Sequence, residues 1–384
     1  MILPAYISPN RNVLLQVAAG KGFFVYYDNA TTLNVAGTAV PTAGAYTVNL
    51  GTRWNMVANP FTNNLPMANI APTVPGTVLP FAYVFRPSDQ SYLLVTDRAG
   101  INVARSYIEP WEGAWMYAAT GTTATIQMTA GTASAQGEMA PRQLDVGESG
   151  WVIPVVARVG SRRDVTGAVG VAEGIEPYSI PNPPSVPDSV DLYFIGDDGS
   201  QLAQSITPVT GEKLSWDFVV ATDIADSDVE VVMPDLSQVP NDLSVTLSDL
   251  DGDQTVYMRT APSYVFRSGA EGGLRHFRLE VGAQQSGGLV ITSATAQSSG
   301  VGTVITYGVT QACRVSMEIM NISGRVIKTL MAEEAASERT HSQAWNLRSN
   351  GGTVVPRGMY LVRIEAVADN GQRVEGLCPL TISR

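Results

Sequence analysis

The sequence predicts an all-β protein made of tandem β-sandwich, immunoglobulin-like domains. Three observations lead there. Apolar residues alternate with polar ones in short runs, as Val315, Met317 and Ile319 do around Ser316 and Glu318, which is the period of a half-buried strand. Turn signals separate such runs at roughly 8–12-residue spacing, and the 36 Gly and 23 Pro supply them. Helical periodicity is nearly absent. Only 331–338 (Met-Ala-Glu-Glu-Ala-Ala-Ser-Glu) carries it, and it predicts about two helical turns.

At 384 residues the chain can hold two or three domains, each with its own core. The predicted division is an N-terminal β domain at 1–135, an acidic β-sandwich at 136–285 and an immunoglobulin-like domain at 286–384. The net charge of −11 is concentrated in the middle, where residues 138–285 carry nine basic and twenty-three acidic groups. Such a surface repels a phosphate backbone, so nucleic acid is excluded as a partner. A solvated acidic face is the plain reading of the rest.

In the first domain, strands are predicted at 12–17, 22–27, 31–35 and 45–50. A hairpin follows, 80–85 with 91–96, across the turn 86–90. Residues 108–117 then lead into 123–128. Aromatic density is high here, and Trp54, Trp111 and Trp115 are candidates for stacking on sugar rings, with polysaccharide as the partner. The alternative is that they fill a sandwich core. Glu109 and Glu112 bracket Trp111 and are the one carboxylate pair a glycosidase reading could use. Capping or solvated groups are the more ordinary reading of two glutamates on a turn.

A polar linker at 136–150 precedes the second domain, which opens with a strand at 151–159. The Pro-rich 175–187 reads as an extended crossover rather than a strand. Strands follow at 190–195, 214–220, 229–233, 243–247, 255–259, 264–266 and 274–281. Asp249, Asp251 and Asp253 imitate a calcium loop, but Gln254 and Thr260 stand where the motif needs Gly and Glu. Asp-Gly between strands signals a hairpin, and Asp197-Asp198-Gly199 reads the same way.

The third domain starts with strands at 289–292 and 304–307, then 315–319 and 325–330. It continues past Trp345 and the Asn350-Gly351 turn to the segment 356–364 and the last strand, 376–382. Both cysteines lie in it. If their strands are neighbours, a Cys313–Cys378 disulfide would close a loop of about 65 residues, worth about 4 kcal/mol on a loop-entropy estimate. Two independent buried thiols are the alternative. Two Cys and the distant His276 and His341 lack zinc spacing.

The order of elements in 314–364 resembles known families. A strand is followed by Asn321-Ile-Ser-Gly324, a short Glu-rich link, Trp345-Asn346, Asn350-Gly351 and Gly358-Met-Tyr360-Leu-Val-Arg363-Ile364. It is similar to the immunoglobulin-like domain of flagellar hook-capping proteins and to the C-terminal sorting domain of type IX secretion cargo. Upstream, the segment Trp54-Asn55-Met-Val-Ala-Asn59-Pro60-Phe61 resembles one found in large bacterial surface proteins. These resemblances imply a bacterial, exported, modular β protein.

Residues 1–7 lack the basic and apolar regions of a signal peptide, which suggests a mature form or a fragment with an added Met. The charge-free run 113–137 is too polar to span a bilayer. No nucleophile elbow, zinc-protease helix, phosphate loop or dinucleotide fingerprint is present in the sequence. The expectation is therefore a non-enzymatic, cofactor-free protein of the cell surface or medium, structural or adhesive, that binds itself or other surface proteins and assembles head to tail into a filament. The segment 1–17 is its candidate donor strand; the alternative is that it pairs within its own domain. For the whole chain the alternative is the carbohydrate-binding and export-sorting rear part of a larger glycan-active protein.

Overall fold

The computed structural model describes residues 18–24, 38–119, 121, 123–131, 143–175, 178–209, 213–252, 254–259, 261–283, 289–299, 302–337, 339–369 and 371–382. Within them the chain is all-β; its one helical piece is the single 3₁₀ turn Met67–Asn69. The strands expected at 12–17 and 31–35, part of the one at 22–27, and the donor segment 1–17 lie outside the described residues.

The N-terminal region is a sandwich. One sheet runs, in spatial order, Arg53–Ala58, Gly113–Ala118, Val78–Arg86, Ser91–Val95, Val103–Arg105. The other is Ala45–Leu50, Ala124–Thr129, Ile70–Pro72. Alternation sends Val57, Val84, Ala114 and Met116 inward from the first sheet, where they meet Val48, Leu50, Ile126 and Met128 from the second. Residues 18–24 add to the free edge of Arg53–Ala58: Gly22 N donates to Met56 O at 3.1 Å and Ala58 N to Gly20 O at 3.1 Å. The Asn-Pro-Phe segment is a structural hub. Buried Asn59 donates to Asn63 O and Ile108 O, and accepts from Phe61 N at 2.9 Å.

The middle region folds two half-sheets over one core. Ser263–Arg267, Asp228–Val232, Trp151–Val159, Arg162–Ala172 and Gln201–Pro208 form one half. Val190–Ile195, Leu214–Thr222, Gly273–Ala283, Leu243–Asp249 and Gln254–Tyr257 form the other. Ile153, Val155, Val169 and Val231 pack against Leu192, Phe218, Phe277 and Leu279, all buried. Arg162–Ala172 pairs in parallel with Gln201–Pro208 and is buried on both faces along most of its length. Such a strand shows no clean alternation. Gly170 is required there, because a Cβ would lie 2.2 Å from Trp151 O.

The C-terminal region packs Ile291–Ser299, Gly302–Val309 and Arg339–Trp345 over Arg373–Ile382, Gly358–Ala368, Cys313–Asn321 and Val326–Ala336. Three sequence expectations need correction. The helix expected at 331–338 is the second half of the strand Val326–Ala336: cross-strand pairing with Cys313–Asn321 overrides the helical preference of Ala and Glu. Part of the 175–187 crossover is a strand, Tyr178–Pro181, paired with Gln201–Pro208. The Cys313–Cys378 disulfide is not formed; both thiols are free and buried. Cys313 lies opposite Ala368, whereas Cys378 lies opposite Val362, which also faces Ile319. The cysteines are thus two strands apart and offset by six residues, about 20 Å along the strand direction, beyond any disulfide's reach. Burial pushes both thiols above their ordinary pKa.

Candidate functional site

A sheet has two faces, and in the first sandwich the face turned away from the core is aromatic. Trp54, Phe81, Tyr83, Phe85, Tyr92, Trp115 and Tyr117 share it, and Tyr178, Ile180, Val186 and Ala203 of the middle region cover it. Trp54 meets Tyr117 edge-on with ring centroids 5.1 Å apart. The Trp115 indole N–H donates to Tyr92 Oη at 3.1 Å, and the Tyr92 hydroxyl donates to Pro184 O at 2.9 Å. The structure therefore brings Trp54 and Trp115 together, but inside a joint between two regions and half-buried.

Trp111 stands apart from them, 86% exposed and at φ 70°. A bulky side chain on left-handed backbone is strained, and its turn is fastened to hold it. Arg105 pairs with Glu109 at 2.9 Å and with Glu112, while Glu109 N donates to Glu112 Oε2 at 2.7 Å. Both glutamates are thereby committed to a charge clamp. Trp111 is the indole this arrangement leaves exposed. The sequence pointed to Trp111 by composition alone; the clamping role of Arg105 was invisible there.

The joint also has a polar side that leaves no signature in the sequence. Gln204, fully buried, donates to Ile101 O across the joint at 2.8 Å. Asp89 accepts from Arg86 and Ser91 of its own hairpin and from Arg163 of the middle region at 2.6 Å. Burial pushes the Asp89 carboxyl up, but the bonds from Arg86, Arg163 and Ser91 outweigh it and bring it down to about 2. Beside them a shallow cleft is lined by Ser91, Tyr92, Arg163, Asp164, Ser185 and Asp191. Asp164 accepts from Thr166 N, Thr166 Oγ1 and Leu192 N at 2.7–2.9 Å. Asp191 accepts from Asn182 Nδ2 at 2.8 Å and Ser185 Oγ at 2.7 Å. Burial, with the neighbouring Asp164 charge, pushes Asp191 up to about 6. The buried Tyr83 hydroxyl has no partner.

Elsewhere the side chains that resemble chemistry are occupied structurally. Asp249 accepts from Asp251 N, Gly252 N, Arg275 and the Tyr264 hydroxyl, which closes the Asp-Gly turn from inside. Gly199 N donates to Gly196 O, with Gly199 at φ 76°, so 197–199 is likewise a turn. His276 bonds Asp251 at 3.0 Å, and His341 stacks on Tyr307. Among the described residues no three His, Cys, Asp or Glu side chains converge as metal ligands. No helix among them is long and apolar enough to cross a membrane.

No protein-family model matches the chain, and none of the curated proteins does. Among solved structures, the β-glucuronidase of Ruminococcus gnavus bound to D-glucuronic acid aligns at TM-score 0.16 and 9% identity, over 43% of this chain and 36% of that one. A tetra-tandem repeat from the extending region of a large adhesion protein aligns at 0.18 and 11%, over 62% and 68%. Dimeric latent PorU from Porphyromonas gingivalis aligns at 0.23 and 12%, over 88% of this chain and 32% of that one. Similarity this slight carries no argument about function. The chain matches little more than a third of the glucuronidase and less than a third of PorU by those coverages.

Proposed function

We propose that the chain is a non-enzymatic structural or adhesive part of a bacterial cell-surface or secreted protein, acting through its surfaces. The observation that supports it most is the construction of the joints. The first and middle regions share an apolar cluster, a buried hydrogen bond from the Gln204 amide and an ion pair. The middle and C-terminal regions are joined by strand pairing, Val256 with Glu375, and by Leu377 packed against the middle core. Units fastened in this way transmit force along the chain instead of hinging, which suits a stalk or filament.

On this reading the last region, 286–384, addresses the protein for export as its sorting-domain resemblance implies, and subunits join head to tail. Immunolabelling of intact cells and electron microscopy of the exported material test it: labelled surface fibres are the expected result. Monodisperse monomers would remove the filament, and export unchanged by deletion of 286–384 would remove the sorting role. Trp111 favours a second reading, a carbohydrate-binding rear portion of a glycan-active protein. Its test is polysaccharide pull-down, in which Trp111→Ala abolishes retention.

A further inference from the structure

The middle and C-terminal regions share one hydrogen-bonded run of strands, and its two ends differ. One end is Val326–Ala336. It is guarded: its pairing shifts register three times, Glu333 sits at φ 52°, and Asn350 bonds Ile327 O and Thr329 N along the outer side. Bulges, charge and a covering loop are the devices that keep an edge from pairing. Residues 18–24 likewise cover the edge of Arg53–Ala58 in the first sandwich.

The other end, Ser263–Arg267, has no bulge and, among the described residues, no covering loop; its one charge, Arg267, is already paired with Asp228 of the inner strand at 3.0 Å. Its inner partner is Asp228–Val232, and the bonding parity is fixed at both ends of the pair: Met233 N donates to Pro262 O at 2.9 Å and Ser268 N to Ser227 O at 2.9 Å. In an antiparallel ladder bonded pairs alternate. Tyr264 and Phe266 therefore bond inward, and the N–H and C=O groups of Ser263, Val265 and Arg267 point outward. Among the described residues none of these outward groups has a partner. Val265 is 53% exposed beside them, and the strand contains no Pro, Lys or bulge.

We infer that this edge pairs antiparallel with the same edge of a second copy of the chain, giving a two-fold dimer. The sequence is complementary to itself in that register. Centred on Val265, the pairing sets Val265 against its counterpart, Tyr264 against Phe266, and Ser263 against Arg267, so no two like charges are opposed. Such a contact is isologous and closes at two. It covers five residues, about 17 Å of ladder, and is therefore a weak dimer that fills with concentration. It needs neither export nor filament formation, so it stands or falls separately from the proposal above.

Sedimentation equilibrium of the full chain tests it. The expected result is a weight-average mass that rises toward twice the monomer with concentration. The amides of Ser263, Val265 and Arg267 should also exchange more slowly at high concentration than at low. Val265→Lys places two cations face to face and should return the protein to a monomer with unchanged melting temperature, while Ser263→Asp, set opposite Arg267, should tighten association. A wild-type chain that stays monomeric, or a folded Val265→Lys protein that still dimerises, overturns the inference; so does growth past the dimer through this edge.

Discussion

The two joints of this molecule achieve the same continuity by different means. Between the first and middle regions the joint is made of side chains: aromatic rings against Ile180 and Ala203, the Gln204 amide, and the Arg163–Asp89 pair. Between the middle and last regions the visible link is backbone, one parallel pairing of Val256 with Glu375, supported by Leu377. A side-chain joint can be loosened one residue at a time, whereas a ladder tolerates almost any side chain that still fits a strand. The first joint should therefore respond to point mutation and to pH, and the second hardly at all.

The largest effect should come from Ile180→Ala. Ile180 is buried at the centre of the first joint, and such a truncation costs about 2–4 kcal/mol. Calorimetry should show one unfolding transition dividing into two as the first sandwich is released. A single transition, merely shifted, would mean the joint is not what couples the regions.

Asp191→Asn should act through pH. The folded carboxyl titrates near 6 against an ordinary 3.8, so between those values the folded state holds more protons than the unfolded one, and stability falls as pH rises through that window. Two pKa steps correspond to at most about 3 kcal/mol, less where the charge is shared with Asp164. The variant should melt above wild type at pH 7, by about 1–2 kcal/mol in stability, and the gap should close by pH 4. A gap that is independent of pH would assign the gain to packing.

Tyr83→Phe removes a buried hydroxyl that has no partner, and should stabilise by about 1 kcal/mol, read from denaturant midpoints at constant slope. The smallest effect belongs to the second joint. Burial raises the Glu375 carboxyl, with Arg363 opposing, yet its part in the link is main-chain. Glu375→Gln should change stability by less than about 0.5 kcal/mol, and a larger loss would show that the side chain matters there after all.

The all-β class was legible because most strands alternate cleanly, as Leu243–Asp249 and Gly358–Ala368 do. Arg162–Ala172 and Gln201–Pro208 were not legible. The first is buried on both faces and contains Gly167, Gly170 and Asp164; the second buries Gln204 against another region. A strand whose two faces meet two different neighbours loses the period that sequence reading depends on. The joint was hidden for the same reason, since its members Tyr83, Gln204 and Asp191 lie on three separate strands. Among the tryptophans, density in the sequence marked Trp54, Trp111 and Trp115 alike, and only the fold separates the two that pack from the one that projects.

That projecting indole also gives the protein an optical handle. Of its six tryptophans, Trp151, Trp216 and Trp345 are buried, Trp54 and Trp115 are half-covered by other rings, and Trp111 faces water. Its emission should form the red edge of the spectrum and be the component that iodide quenches. Anything that settles on the Arg105-clamped turn should shield that component and shift it to the blue, so occupancy of this one spot can be followed without a label.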